Sequence, residues 1–166
     1  MQDNSLVVSD TSPLLNLALI DRLDLLKSQF DSITIPSQVW DELTGGDSGL
    51  NSLRELREEG FLSIVEVERS SLFIEIFREL DLGETAAICY AIQQDAELLL
   101  LDEKEGRRVA RRHDLEVTGV LGILLKGTKA GNVEMKQELD ALREAGFWIS
   151  EDLYSKVLSE SEDGPA

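Results

Sequence analysis

Four carboxylates, Asp10, Glu42, Glu84 and Asp102, stand far apart in the chain, each at a place where an α/β fold brings side chains together. Asp10 ends the apolar run Leu6-Val7-Val8-Ser9, and Asp102 ends Leu98-Leu99-Leu100-Leu101. Both read as residues at the carboxyl ends of buried parallel strands, where open sheets bind their ligands. Glu42 and Glu84 fall on short helical segments that close the ring. Carboxylates are the natural ligands of Mg²⁺ and Mn²⁺, and a close group of them repels itself until a cation relieves the charge. A cation held there lowers the pKa of a bound water and neutralises charge on a phosphate, so the layout is that of an acidic, metal-dependent nuclease site.

What the sequence lacks narrows the chemistry further. His113 and Cys89 are the single histidine and cysteine. Disulfides within the chain, cysteine-rich zinc sites and metal sites built on several histidines are therefore excluded, and nucleophiles activated by histidine have few candidates. Cys89, inside Ala86-Ala87-Ile88-Cys89, reads as core. After the first strand Asp10-Thr11-Ser12-Pro13 stands where a glycine-rich phosphate loop would be, which argues against a P-loop or dinucleotide site. An aspartyl phosphatase wants a second acid two residues after its nucleophile, and that position is Ser12.

A second cluster has the opposite sign. Lys104, Arg107, Arg108, Arg111, Arg112 and His113 follow closely on Asp102. Arg107 with Arg111, and Arg108 with Arg112, recur at i,i+4 and form two adjacent cationic stripes on a helix. Arg107, Arg108 and Arg111 are the candidates for gripping a nucleic-acid backbone; pairing with nearby acids such as Glu103, Glu105 and Asp114 is the competing use. This cluster matters because the whole chain carries a net charge of −17, which opposes nucleic-acid binding unless a basic patch or a bound metal meets the phosphates. A surface rich in Asp and Glu also suits a high-salt cytoplasm, where charges are screened beyond about 3 Å at roughly 1 M salt.

The elements that must position these groups alternate strand with helix. Residues 6–9 read as a strand, and Ser12-Pro13 opens a helix, with Ser12 as N-cap, that carries Leu14, Leu15, Leu17 and Leu19 inward. Ile33-Thr34-Ile35 is a second strand. A helix starts at Pro36-Ser37, carries Glu42 and stops at Gly45-Gly46. Asp47 or Ser48 then caps a helix with Leu50, Leu53 and Leu56, ended by Gly60, and 61–67 alternates like an edge strand. Residues 70–80 are helical, and Leu82-Gly83-Glu84-Thr85 leads into a small-residue helix whose dipole favours Glu84 in its first turn. A strand at 97–101, the basic helix, a strand at 115–118, a helix at 120–126 and a helix at 133–145 capped by Gly131-Asn132 complete the pattern. This order predicts one three-layer α/β/α domain over 1–158 with a central, mostly parallel sheet. Residues 146–158 are an appendage containing a helix at 151–158, and 159–166 are expected to be a disordered tail. With 166 residues and 42% apolar content the chain suits one domain. The polar opening Met1-Gln2-Asp3-Asn4 and the lack of a long apolar stretch predict a cytoplasmic protein with no membrane partner.

These motifs also carry a family resemblance. Val8-Ser9-Asp10-Thr11-Ser12-Pro13-Leu14, Ile35-Pro36 through Val39-Trp40-Asp41-Glu42-Leu43, Leu82-Gly83-Glu84-Thr85-Ala86-Ala87, and Leu100-Leu101-Asp102-Glu103 with Gly106-Arg107-Arg108-Val109-Ala110 together resemble the PIN domain, most closely the branch that includes the VapC toxins. Gly119-Val120-Leu121-Gly122 and Ala145-Gly146-Phe147 extend the likeness over about residues 6–158. The resemblance implies a metal-dependent endoribonuclease, commonly homodimeric and held inactive by a co-encoded antitoxin. It implies Asp10, Glu42, Glu84 and Asp102 as ligands of one or two Mg²⁺ or Mn²⁺ ions, and in-line hydrolysis leaving a 5′-phosphate and a 3′-hydroxyl. Ser12, beyond capping, would orient Asp10, and Thr11 would position backbone. Many relatives carry a further acid after the last aspartate; here the candidates are Glu103 and Glu105. A binding module of the same fold, without significant cutting, is the alternative function, although such a module has no physical need for clustered acids. Asn16 and His113 read more readily as packed or surface residues than as site residues.

Overall fold

The computed structural model describes residues 5–45 and 50–162. The chain runs β1 (Val7–Ser9), α1 (Thr11–Leu19), α2 (Asp24–Gln29), β2 (Ile33–Pro36), α3 (Ser37–Thr44), α4 (Leu50–Glu58), β3 (Leu62–Val65), α5 (Ser71–Phe77), α6 (Leu82–Gln93), β4 (Leu98–Leu100), α7 (Lys104–Arg112), β5 (Val117–Thr118), α8 (Val120–Lys129), α9 (Met135–Glu144) and α10 (Glu151–Glu162). The five strands form one sheet in the order β3-β2-β1-β4-β5, parallel throughout. Parallel strands need crossover connections, and helices covering both faces make the sheet the middle of three layers.

Register decides which side chain enters which layer. Val8 lies beside Thr34 and Leu99, and Val7 beside Leu98. With a side-chain period of two, Val7, Ile33, Ile35 and Leu100 join the larger core with Leu14, Leu17, Leu26, Leu124 and Leu139. Val8, Leu99 and Leu101 face the other way, onto Ala87, Ile88 and Ala91 of α6 and Val109 and Ala110 of α7. Those alanines let α6 lie close against the sheet.

Strand order also creates the crevice. The chain builds outward from β1 to β2 and β3, then crosses back to β4 and β5 on the other side of β1. The order therefore reverses between β1 and β4, and ligands of open α/β sheets bind at such a switch point. Asp10 follows directly on β1 and Asp102 follows β4 after Leu101, and the Asp10 amide still donates to the Leu100 carbonyl at 2.9 Å.

Several local expectations change. Asp10, not Ser12, occupies the N-cap position of α1, which begins at Thr11. Pro13 still falls in the first turn, where its missing N–H leaves no bond unmade. Leu19 is on the exposed side of α1. Helix α2 follows a reversal at Asp21, whose φ of 58° is left-handed; no glycine or proline announces it. Gly131 does not cap the next helix. It takes a φ of 83° and closes α8, with its amide on the Thr128 carbonyl and that of Asn132 on the Gly127 carbonyl, and α9 starts only at Met135 after an extended Glu134. Helix α10 runs on through 159–162, which the sequence assigns to a tail. The expected caps at Asp47 and Ser48 and the tail beyond 162 lie outside the described residues.

One half-buried ion pair ties the α1–α2 turn to α9. Arg22 donates to both oxygens of the buried Glu138, at 2.9 and 3.0 Å. Removing the guanidinium leaves a buried carboxylate without its partner, so Arg22→Ala lowers stability by about 2–3 kcal/mol. Lys27→Ala, which breaks the exposed pair with Glu59, costs at most about 0.5 kcal/mol. Urea unfolding of both variants checks the contrast; equal losses contradict it.

Candidate metal centre

Asp10 is buried at 4% exposure, where the end of β1 turns into α1. Burial raises its pKa to about 8. The Thr11 amide offsets part of the rise, and the charges of Glu84, Asp81 and Glu42 add to it. Glu84 is buried in the first turn of α6 by a capping box: Asp81 accepts from the Glu84 amide at 2.8 Å, and Glu84 Oε1 accepts from the Asp81 amide. Burial, then the charge of Asp81, raises Glu84 to about 7. Its other oxygen, Oε2, is buried without any hydrogen-bond partner.

Two glycines shape the space around these acids. A Cβ at Gly83 would run into both carboxylate oxygens of Glu42, and one at Gly106 would stand 2.9 Å from Glu84 Oε2. Glu42, on the exposed side of α3, is held by the Thr11 hydroxyl, which donates to its Oε1 at 2.6 Å. The sequence predicts only backbone positioning for Thr11; the structure gives its side chain this contact.

Asp102 is fixed from the β5 side. The Val120 amide, at the start of α8, donates to its Oδ1 at 2.8 Å, and the Ser12 hydroxyl to its Oδ2 at 3.3 Å. Ser12 thus holds Asp102, whereas the resemblance assigns it to Asp10, because the first turn of α1 aims the hydroxyl across the crevice. Asn16, expected to pack elsewhere, donates to Ser12 Oγ at 3.0 Å and fixes it in turn. Burial raises the Asp102 pKa, opposed by Val120, Ser12 and the Arg107 charge.

The basic helix divides. Arg108 pairs with Glu105 and Glu79, and Arg112 with Glu79, so this stripe is occupied by acids. Arg107 turns instead toward Asp102, its Nη1 lying over Gly119 beside the Asp102 carboxylate; Arg111 is exposed on the same stripe. Of the two further acids, Glu105 is engaged by Arg108. The charge of Glu103 bears on both Asp102 and Glu84. His113 ends α7, half-buried.

Asp10 thus lies within reach of the charges of Glu42 and Glu84, while Asp102, beyond the neighbouring strand β4, is tied to α1 through Ser12; a family comparison decides what kind of fold this is. A family model described as a PIN domain matches residues 6–163. The chain belongs to the PIN domain family. No curated protein matches it. In this PIN domain Asp81 and the Val120 amide are contributors that the sequence analysis does not name, and Asn16 is one that it sets aside. Asp81 has a legible signal, Asp-Leu-Gly-Glu at capping-box spacing, and Asn16 stands one helical turn beyond Ser12; the Val120 amide depends on tertiary approach. The donor set suits a hard divalent cation: carboxylate oxygens, one of them buried and unpartnered. Yet among the described residues no three acidic, histidine or cysteine side chains are arranged to hold a metal ion as they stand.

The raised pKa values set a pH dependence for the metal-free protein. Asp10 and Glu84 bind protons more tightly folded than unfolded. Their contribution to stability is complete below the ordinary carboxylate range and is lost as pH rises through about 7 to 8. In EDTA, Tm therefore falls between about pH 5 and about pH 8.5, and Asp10→Asn flattens the fall, with a gain on the order of 2 kcal/mol at the alkaline end. A wild-type profile that the substitution leaves unchanged contradicts the assignment.

Proposed function

We propose that the protein is a metal-dependent endoribonuclease, with Asp10, Glu42, Glu84 and Asp102 holding one or two Mg²⁺ or Mn²⁺ ions at the β1/β4 crevice. The observation that carries the reading is the buried, unpartnered Oε2 of Glu84 near buried Asp10. Burying carboxylates without compensating donors costs several kcal/mol in general, and a divalent cation is the partner that reverses the sign. When bound, the ion supplies charge neutralisation at the phosphate and a more acidic water.

The chain's own residues do the positioning. Ser12, backed by Asn16, and the Val120 amide hold Asp102 in one orientation, and Thr11 holds Glu42. Arg107, beside Asp102 and without an ion pair among the described residues, is placed to take a phosphate of the substrate, with Arg111 one turn further along. Arg108 is left to Glu79 and Glu105, and Glu103 is the available fifth acid.

The role as toxin of a toxin–antitoxin pair rests on the resemblance to the VapC branch, as do the homodimer and the small antitoxin partner; the cytoplasmic location rests on the composition of the sequence. No helix among the described residues is long and apolar enough to cross a membrane. The second reading, a PIN-fold binding module, is favoured by one observation: among the described residues no three acids stand as a ready ligand set.

Incubating partner-free protein with single-stranded and structured RNAs in Mn²⁺ or Mg²⁺, at low and high salt, separates the two. The nuclease reading predicts cutting that EDTA abolishes and Asp102→Asn reduces by at least about a hundredfold. RNA binding with no metal-dependent cutting in any condition supports the module. Gly83→Ala sharpens the test: alanine suits a helix better than glycine, so stability holds, while the new methyl displaces the Glu42 carboxylate and cutting falls about tenfold. Unchanged cutting removes Glu42 from the site.

A further inference from the structure

A cavity of about 580 Å³ opens beside Asp102, among the start of α7, the β5–α8 turn and the chain from Phe147 into α10. Its volume suits a small-molecule-sized group. Leu121, Leu125 and Val157 give it an apolar lining, and Trp148 lines it while 81% exposed, more than any other large hydrophobic side chain described. Trp148 is not on a loose strand of chain. Gly146, at a φ of 104°, closes α9 with the Phe147 amide on the Leu142 carbonyl; Ile149 is buried next to it, and its carbonyl accepts from Arg143 at 3.1 Å. The protein's other tryptophan, Trp40, carries the Arg57 guanidinium 5.0 Å above its ring, whereas nothing among the described residues stacks on Trp148.

The charge lining the cavity departs from the rest of the molecule. Lys104, Arg107 and Lys156 border it, and none forms an ion pair among the described residues. The acids bordering it are Asp102, at the crevice, and Glu160. In a chain with 33 acidic and 16 basic residues, three uncommitted cations around one cavity select for an anion. An exposed indole face beside them selects for a flat, apolar group attached to that anion.

We propose that this cavity is a nucleotide subsite for unpaired RNA, in which Trp148 stacks on a base next to the bond held at Asp102 and Lys104, Arg107 and Lys156 take the adjoining phosphates. The proposal rests on the nuclease reading above and narrows its substrate. A base within a duplex is already stacked on both faces, so an indole waiting for a partner selects single strands, loops or ends.

The test uses the full chain in EDTA, where binding is separated from cutting, and a Trp40→Phe background in which Trp148 alone reports fluorescence. A short unstructured RNA quenches that signal, while the same RNA annealed to its complement does not. Trp148→Ala weakens binding about tenfold, Trp148→Phe restores most of it, and Lys104→Ala with Lys156→Ala lowers the salt dependence. In Mn²⁺, the loss in Trp148→Ala appears in KM for single-stranded RNA. Metal-dependent cutting by the wild type with an unchanged KM in Trp148→Ala overturns the subsite and leaves the nuclease standing. If the wild type neither binds nor cuts RNA, the nuclease reading itself fails. If Trp148→Ala instead disrupts self-association or binding of a protein partner and leaves RNA kinetics untouched, the face belongs to protein and the proposal is overturned.

Discussion

Burial of carboxylates away from water, sharpened by the charges of neighbouring acids, is the constraint on which the site depends. Asp10 and Glu84 are both nearly buried, both have their pKa raised by that burial, and each is raised further by neighbouring acids. Nothing in the hydrophobic core requires this; an apolar pair would pack there at lower cost. The parallel sheet makes the placement unavoidable once Asp10 follows β1 and Asp102 follows the end of β4, because the strand order reverses between those two strands. The remaining groups then act as restraints on the acids: the Asp81 capping box on Glu84, Thr11 on Glu42, and Ser12, Asn16 and the Val120 amide on Asp102.

Charge works at two ranges. At long range a net charge of −17 repels a polyanion, so encounter with any nucleic acid depends on salt or on a cation that offsets the charge. At short range the basic helix is split by its i,i+4 geometry into a stripe consumed by Glu79 and Glu105 and a stripe left beside Asp102. The same acidity that solubilises the surface thus neutralises half of the helix and leaves the other half for the crevice.

The acids at strand ends were legible because hydrophobic runs mark parallel strands, and parallel strands bind ligands at their carboxyl ends. The layering followed from alternating elements, and the sheet proved parallel throughout. What resisted reading was set by tertiary approach. No local pattern reveals that Ser12 reaches Asp102 rather than Asp10, although i,i+4 spacing on α1 does put Asn16 next to Ser12. Helix α2 has no signal in the sequence because its start depends on Asp21 accepting a left-handed φ, and a glycine between two helices suits either one, so only the structure shows that Gly131 closes α8. Trp148 looked like part of an appendage; only the closure of α9 at Gly146 shows that it lines a cavity beside Asp102.

Direct titration of metal-stripped protein with Mn²⁺ at about pH 7.5, followed by the free-ion signal in electron paramagnetic resonance, tests the central claim. At least one ion is expected to bind per chain, with affinity reduced at least about tenfold in both Asp10→Asn and Glu84→Gln. Wild-type protein that leaves all Mn²⁺ free, or variants that bind it as tightly as the wild type, would contradict the claim that these buried carboxylates exist to hold a cation.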